Sequence, residues 1–163
     1  MIFLSSLFIN GNKIKPMTIT IRKANQRDFY TILYLIKEFA IFQKTPEKVT
    51  ITLEQMIAAK DFFQCFVAET SGKEIIGFAS FYFVYNSWSG KGLYLDDLYV
   101  VDAFRKQGAG KLLLDAMIQL AKEEHCKKLR WQVSKWNSNA IDFYKKMGAV
   151  IDDTEINCDL LLN

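Results

Sequence analysis

The sequence predicts an α+β domain in which one mixed, mostly antiparallel sheet is flanked by helices. Three observations support this prediction. Hydrophobic periodicity switches repeatedly between strand and helix spacing, neighbouring strands in the first half form hairpins, and one strand–helix–strand crossover follows in the second half. The chain has 163 residues, half of them hydrophobic, which is enough to bury one core.

The first half of the chain supplies the hairpins. Residues 18–22 alternate apolar and polar side chains, and apolar side chains recur at helical spacing from residue 28 until Pro46 stops the pattern. Thr52 and Gln55 have the spacing of a capping box that opens a short helix. We therefore predict a strand at 18–22, helices at 28–42 and 52–60, and strands at 64–69 and 75–85 joined by Ser71-Gly72-Lys73.

The second half supplies the crossover. A long apolar run is followed by a basic, glycine-containing turn and then by helical periodicity. Gly148 is well placed to end the last helix. We predict strands at 93–101 and 128–133 around a helix at 108–124, then a helix at 138–147 and terminal strands at 149–152 and 156–162.

Residues 1–16 are expected to be an N-terminal extension, and residues 17–163 to form a single domain. The apolar start ends early at Asn10-Gly11-Asn12, too soon to span a bilayer, and it lacks the basic start and cleavage site of a signal peptide. Three explanations stay open for the extension: a tag-like addition, a misassigned start, or a segment docked on a partner.

The composition argues against several classes of partner. The net charge of +3, from 21 basic and 18 acidic side chains, is too small to indicate a nucleic-acid or membrane-surface partner. Cys65, Cys126 and Cys158 are scattered and odd in number, which favours a reducing cytoplasmic location over disulfides. With His125 as the single histidine, we expect no metal site.

The turn at residues 105–110 predicts a phosphate cradle, because a turn between a strand and a helix aims backbone N–H groups at one point beside the positive end of the helix dipole. A P-loop does not fit, since Arg105 stands in place of its first glycine and Leu112 in place of its hydroxyl residue. A dinucleotide fingerprint does not fit either, since Leu113 stands where its third glycine belongs.

Two motifs in order carry a family resemblance. The pattern Arg105-x-x-Gly108-x-Gly110 resembles the coenzyme A pyrophosphate loop of the GNAT N-acetyltransferase superfamily. Asn137, followed by a helix that ends in Phe143-Tyr144-x-x-x-Gly148-Ala149, resembles the second coenzyme A motif of that superfamily. The resemblance implies the GNAT fold, acetyl-CoA as cofactor and N-acetyltransferase activity.

Further segments are similar to the diamine (spermidine/spermine) N1-acetyltransferase branch, which includes thialysine-acetylating relatives. They are Leu35-Ile36-Lys37-Glu38, Tyr82-Phe83-x-Tyr85-x-x-Trp88-x-Gly90-Lys91 and Tyr94-Leu95-Asp96-Asp97. This resemblance implies a homodimer and a small primary amine as substrate: a diamine, a polyamine or a lysine-like amino acid. Eukaryotic members carry Glu where Asp96 and Gln43 stand, so the chain lacks one acidic group for a polyamine.

The resemblance implies a role for each site residue. Tyr144 would protonate the leaving thiolate, and Asp96 would act as a base through water or as a charge partner for the ammonium group. The residues implied to bind the cofactor are Leu98, Tyr99, Val100, Arg105, Lys106, Gln107, Gly108, Ala109, Gly110, Lys111, Asn137 and Tyr144. Those implied to bind the acceptor are Gln43, Tyr85, Trp88, Asp96 and Asp97.

Several alternatives stay open for these residues. Arg105 either adds charge to a phosphate or packs on the loop, and Tyr85 and Trp88 either wall the acceptor or pack against the core or a dimer partner. Because adjacent strand residues point to opposite faces, we expect only one of Asp96 and Asp97 to face the acceptor directly. Asp97 is then either a substrate contact or a solvated, hydrogen-bonded strand acid.

The predicted reaction is direct attack of the amine on acetyl-CoA within a ternary complex. Two other functions remain open: acetylation of a protein lysine or N-terminus, and binding of acyl-CoA without catalysis. An intact set of Tyr144, Asn137 and Asp96 argues against a module that has lost catalysis.

Overall fold

The computed structural model describes residues 8–9, 12–13, 17–154, 158 and 160. Two short strands come first, β1 (Phe8–Ile9) and β2 (Asn12–Lys13), and they pair antiparallel with each other. Both lie within the segment that the sequence assigns to an N-terminal extension.

A five-stranded sheet follows, and it confirms the predicted mixed, mostly antiparallel architecture. Its strands lie in the spatial order β3-β4-β5-β6-β7, with antiparallel pairing everywhere except between β6 and β7, which are parallel. The parallel pair is joined through a helix, as the predicted crossover requires. The strands are β3 (Ile19–Lys23), β4 (Gln64–Thr70), β5 (Ile75–Asn86), β6 (Gly90–Val100) and β7 (Leu129–Arg130).

Four α-helices are described: α1 (Phe29–Phe42), α2 (Leu53–Ala58), α3 (Ala109–Glu123) and α4 (Ser138–Lys146). The capping box predicted for α2 is present, since Gln55 N–H donates to Thr52 Oγ1 at 3.3 Å and Thr52 N–H donates to Gln55 Oε1 at 2.8 Å. Gly148 follows α4 with a φ of 87°, as its predicted role at the helix end requires.

The chain divides into two compact units, one through Arg130 and one from Trp131 onward. In the first unit, α1 and α2 cover one face of the sheet and α3 covers the other. Tyr99 packs against Phe39 of α1 with ring centroids 5.5 Å apart, whereas a side chain at Gly110 of α3 would touch Leu98 and Val100. The strand β6 is therefore packed on both faces.

The second unit holds α4 and differs from the prediction around it. The strand expected at 128–133 is reduced to the two residues that pair with β6, Leu129 and Arg130. The strand expected at 149–152 is wrong. The side chain of Asp152 accepts hydrogen bonds from the backbone N–H and the hydroxyl of Thr154, which favours a local turn over a ladder. The strand expected at 156–162 lies almost entirely outside the described residues.

No helix among the described residues is long and apolar enough to cross a membrane.

An ion-pair network ties the first strand to the start of α1 and to the end of β4. The Arg22 guanidinium donates to both carboxylate oxygens of Asp28, at 2.7 and 2.9 Å, and to Glu69 at 2.7–2.8 Å. Glu69 also pairs with Lys73 at 2.9 Å. Both carboxylates are buried, and hydrogen bonds from Arg22 and Lys73 hold their pKa values below the ordinary range.

Substituting Arg22→Ala should lower the melting temperature by about 5 °C or more, because two buried carboxylates would lose their shared cation. Thermal unfolding at neutral pH measures the effect. Arg27→Ala, which removes an exposed arginine, is the matched control and should change little. Since both carboxylate pKa values are lowered, the contribution of the network is present at neutral pH and disappears as the pH falls below the ordinary carboxyl pKa. Equal melting temperatures for the two variants at neutral pH would contradict this account.

Candidate functional site

The predicted cradle joins β6 to α3 and exposes the start of that helix. A short 3₁₀ turn (Asp102–Phe104) is followed by Lys106 with a φ of 62° and Gly108 with a φ of 92°. No described side chain caps α3, so its first backbone N–H groups can bind an external anion. The left-handed conformation falls on Lys106 and Gly108, whereas Gly110 lacks the unusual dihedral expected for it.

The side chains of the cradle are held by the loop itself. Arg105 Nε donates to the carbonyl oxygen of Val100 at 2.9 Å, and its Nη1 pairs with Asp102 at 2.8 Å. The same guanidinium lies over the rings of Phe42 and Tyr99, with distances of 4.7 and 5.5 Å to the ring centroids. Of the two alternatives for Arg105, the structure therefore displays the packing role.

Two other polar side chains of this segment are also bonded locally. Gln107 Nε2 donates to the carbonyl oxygen of Ala103 at 3.1 Å, and Lys111 pairs with Asp115 at 2.6 Å. Ala109 is buried. Lys106 is exposed, so its positive charge and the backbone N–H groups of the turn can both contribute to binding an external anion.

One edge of β6 beyond Tyr94 has no strand partner among the described residues. The strand β7 pairs only at Leu93 and Tyr94. Because Val101 N–H donates to Ile76 on β5, strand alternation turns the main-chain groups of Val100 and Leu98 towards the unpaired edge. An extended ligand could therefore bond Leu98 as an added strand would. Tyr99 directs its main chain to β5 and its side chain into the core.

The pairing of β5 with β6 slips at the two adjacent aspartates. Ala79 pairs with Leu98 and Phe81 pairs with Leu95, so Ser80 alone lies opposite both Asp96 and Asp97. This two-against-one pairing is a β-bulge. The backbone N–H of Asp97 donates to Ser80 Oγ at 3.2 Å, so the buried serine hydroxyl helps to hold the bulge.

The bulge places both carboxylates on one face of the sheet. Directly paired residues share a face, so Leu95 and Leu98 share the face of Ala79 and Phe81. Both aspartates between them must then share the opposite face, the one covered by α1. The expectation that the two side chains point to opposite faces is wrong, because it assumed an uninterrupted alternation. Which of them contacts the acceptor stays a prediction.

The two carboxylates affect each other. Burial raises the pKa of Asp96, and it raises the pKa of Asp97 to about 6, with the negative charge of Asp96 as the second cause. Asp97 therefore titrates close to neutral pH, within the range suited to a group that accepts a proton from an amine or attracts an ammonium group.

Tyr82 and Tyr94 lie beside these acids and were not assigned to the site from sequence. They are paired across β5 and β6, and their rings stack with centroids 5.0 Å apart. Burial first, and the charge of Asp96 second, raise the pKa values of both phenols. Each belongs to a segment that the sequence analysis singled out, but the two segments are separate, and the contact between the rings depends on a register that only the folded sheet supplies.

The remaining predicted acceptor residues lie elsewhere. Strand alternation places Tyr85 on the α3 face, opposite to the aspartates, and its side chain is 84% exposed. Trp88, in the hairpin turn, is fully exposed, which excludes packing against the core. Gln43 is the residue that ends α1, and its backbone N–H donates to the carbonyl oxygen of Phe39 at 2.8 Å.

In the second unit, Asn137 and Tyr144 have distinct environments. Asn137 Oδ1 accepts the backbone N–H of Ala140 at 3.2 Å and so caps α4. Tyr144 is buried, and its ring lies 5.0 Å from that of Trp131 and 5.2 Å from that of Phe143. Burial raises the pKa of Tyr144 to about 12, so the phenol keeps its proton at neutral pH.

Within the described part of the chain, no group of three or more histidine, cysteine or acidic residues is arranged to hold a metal ion.

Comparison with known families finds a match over residues 21–149 to the model described as "Acetyltransferase (GNAT) family". Among curated proteins, the chain is 34% identical over 143 residues to thialysine N-epsilon-acetyltransferase of Sus scrofa, covering 81% of this chain and 84% of that protein. It is 35% identical over 140 residues to spermidine/spermine N(1)-acetyltransferase-like protein 1 of Homo sapiens, covering 80% of this chain and 20% of that longer protein.

Solved structures share the fold at low identity. An aminoglycoside N-acetyltransferase in complex with CoA superposes with a TM-score of 0.74 at 17% identity, covering 90% of this chain and 97% of that chain. An aminoglycoside acetyltransferase from an uncultured soil metagenomic sample, in complex with sisomicin, superposes with a TM-score of 0.73 at 22% identity, covering 89% of this chain and 97% of that one.

Substituting Asp97→Asn should stabilise the protein more at about pH 7.5 than at about pH 5. In the unsubstituted protein, the cost of ionising this carboxyl appears as the pH rises from the ordinary value of 3.8 through the raised pKa of about 6. We expect the variant to melt about 3 °C higher at the upper pH and to gain less at the lower pH. Asp61→Asn, which changes an exposed acid, is the control, and a pH-independent gain at Asp97 would refute the assignment.

Proposed function

Because the chain belongs to the acetyltransferase (GNAT) family, we propose that it transfers an acetyl group from acetyl-CoA to a primary amine of a small molecule. The observation that carries the proposal is the arrangement on β6: a bulge with two carboxylates and an unpaired edge, leading into the uncapped start of α3. The amine acylation named in the curated relatives supports the same reaction class.

The residues present fit acetyl-CoA. The backbone N–H groups from Gly108 to Lys111 would bind its pyrophosphate, aided by the dipole of α3. The outward main-chain groups of Leu98 would bond its pantetheine arm. Acetyl-CoA supplies the acetyl group as a thioester, whose carbon–sulfur bond breaks as the new amide bond to the acceptor nitrogen forms.

The protein side chains would move the protons. Asp96, with Asp97 beside it, would attract the ammonium group and take its proton, directly or through water, so that the neutral amine can attack. Tyr144 would donate its phenolic proton to the departing sulfur, and burial in its own unit supports this role because it keeps the phenol protonated. The ammonium proton taken at Asp96 would be released to solvent. The second proton, which the nitrogen loses as the amide forms, would return to the Tyr144 phenolate, so that the protons balance.

Three further parts of the proposal concern the extent of the catalytic domain, the oligomeric state and the location of the protein. Residues 17–163 would act as one catalytic domain, since the family match extends across both compact units. A homodimer would cover the fully exposed Trp88. The free thiols of Cys65, Cys126 and Cys158 support a location in the reducing cytoplasm.

The cradle can be tested with acetyl-CoA as a thermal-shift ligand. Acetyl-CoA should raise the melting temperature of the unsubstituted protein, because it binds the folded state. Gly108→Ala should weaken binding about tenfold or more, since a φ of 92° is strained for alanine and the N–H groups would turn away. Gly90→Ala carries the same kind of strain at a φ of 83° outside the cradle, so its acetyl-CoA response should be unchanged. An unaltered response in Gly108→Ala would remove the cradle from the site.

The reaction can be tested by following thiol release from acetyl-CoA across small amines. We expect turnover with the unsubstituted protein and a loss of about 100-fold in kcat for Tyr144→Phe, because the proton donor is gone while the ring packing remains. Acetyl-CoA affinity should stay within a few-fold. Tyr30→Phe, which alters an exposed tyrosine of α1, is the control. Full turnover by Tyr144→Phe would assign the proton to another donor.

A further inference from the structure

A buried serine lies beside the paired aspartates, and the proposed reaction does not use it. Ser80 is 4% exposed and stands on β5 opposite the bulge. On its other side it pairs with Cys65 of β4, a buried residue of the core under α1. The hydroxyl is therefore enclosed between two strands, on the same face as both carboxylates. The inference drawn from it rests on the proposed acetyl transfer.

The Ser80 hydroxyl bonds the peptide group that joins the two aspartates. Asp97 N–H donates to Ser80 Oγ at 3.2 Å. A bulge interrupts the regular ladder, and a buried N–H left without a partner is costly. Here a side chain of the neighbouring strand supplies the partner. The bond restrains rotation of this peptide group, and the directions of the two carboxylates follow that rotation.

The two carboxylates oppose this arrangement once both are ionised. The negative charge of Asp96 is the second cause, after burial, of the raised pKa of Asp97, so the ionised pair repels. Adjacent residues of a regular strand would instead point to opposite faces. Keeping both acids on one face therefore requires a restraint, and the Ser80 hydroxyl provides one at the peptide group between them.

The neighbouring titratable groups do not compete with the pair near neutral pH. One thiol and two phenols lie beside it, and burial raises their pKa values, so they stay neutral below about pH 8: Cys65, Tyr82 and Tyr94. On α1, which covers this face, Glu38 accepts the hydroxyl of Tyr34. Asp28, at the start of that helix, pairs with Arg22.

We propose that Ser80 is a positioning residue for acetyl transfer. Its hydroxyl holds the peptide group between Asp96 and Asp97 so that both carboxylates act together on one ammonium group. Ser80 touches neither acetyl-CoA nor the amine, and it acts through the bulge. Without the hydroxyl, the peptide group turns and the carboxylates move apart. The carboxylate that takes the proton then loses the neighbouring charge that strengthens it as a base.

The test follows the pH dependence of kcat, which reports groups of the bound complex. Thiol release from acetyl-CoA is measured between about pH 5 and 8, with 1,4-diaminobutane and separately with L-lysine as acceptor. Ser80→Ala should lower kcat at the upper pH about tenfold, because the carboxylates are misplaced. Its acidic limb, where kcat falls as the base is protonated, should move about one pH unit lower, because a carboxyl farther from a like charge has a lower pKa.

Thr70→Val is the matched control. The buried Thr70 hydroxyl also accepts a backbone N–H, that of Glu74 at 3.3 Å, but it stands at the far end of β4 from the partner of Ser80. This control should keep the kcat profile. Ser80→Thr retains the hydroxyl and should keep the position of the acidic limb. If Ser80→Ala does not fold, Ser80→Cys replaces it, because sulfur is a weak acceptor.

The melting temperature gives a readout that needs no turnover. Ser80→Ala loses a hydrogen bond at every pH, but its carboxylates relax, which relieves a repulsion that only the ionised pair has. Since the folded-state pKa of Asp97 is raised to about 6, this repulsion appears as the pH rises through that value. The loss of melting temperature should therefore be about 2 °C smaller at about pH 7.5 than at about pH 5. Thr70→Val should lose the same at both.

The outcomes separate this proposal from the proposed function. An unmoved acidic limb in Ser80→Ala, or a loss of melting temperature that does not depend on pH, would make Ser80 a structural residue only and leave acetyl transfer intact. Absence of thiol release from acetyl-CoA with every amine would overturn the proposed function, and the positioning role of Ser80 with it.

Discussion

The pairing of Ser80 with both Asp96 and Asp97 determines how the rest of the site is arranged. Because of one extra residue in β6, Leu98 and Val100 lie on the α3 face and Tyr99 lies on the α1 face. Each side chain therefore packs against the helix that covers its own face of the sheet. The same extra residue gathers two carboxylates where an ordinary strand would present one. The bulge alone thus accounts both for the packing of β6 against its two helices and for the grouping of the two carboxylates. Bulges are common beside functional sites.

A second constraint joins the cradle to the core. The Arg105 guanidinium bonds the carbonyl oxygen of Val100 and covers the rings of Phe42 and Tyr99, which belong to α1 and β6. The turn that presents N–H groups to an anion is therefore supported by a cation that is itself engaged in packing. Such support would let the backbone bind an anion without reorganising.

Much of this architecture could be predicted from the sequence, because local signals agreed with the global fold. The Thr52–Gln55 capping box, the glycine after α4 and the strand–turn–helix around Gly108 all form as expected. The bulge could not be predicted, since it is a property of the ladder between β5 and β6, and no spacing within β6 marks it. The contact of Tyr82 with Tyr94 and the packing of Arg105 depend on the same long-range register. In place of the strand expected at 149–152, the Asp152 side chain forms a local turn with Thr154. Apolar patterning does not show when such local hydrogen bonds are favoured over strand pairing.

The bulge also has a consequence for how this strand can vary through evolution. Replacing Asp96 or Asp97 changes the chemistry of one face, yet leaves every later residue on its proper side. Deleting either residue would restore simple alternation and turn Tyr99 towards α3 and Val100 towards α1, exchanging an aromatic ring for an aliphatic group in two separate packing layers. The length of β6 between Leu95 and Leu98 is therefore under stronger constraint than the identity of the two residues it contains. Related chains can be expected to substitute at these positions far more readily than they lose one.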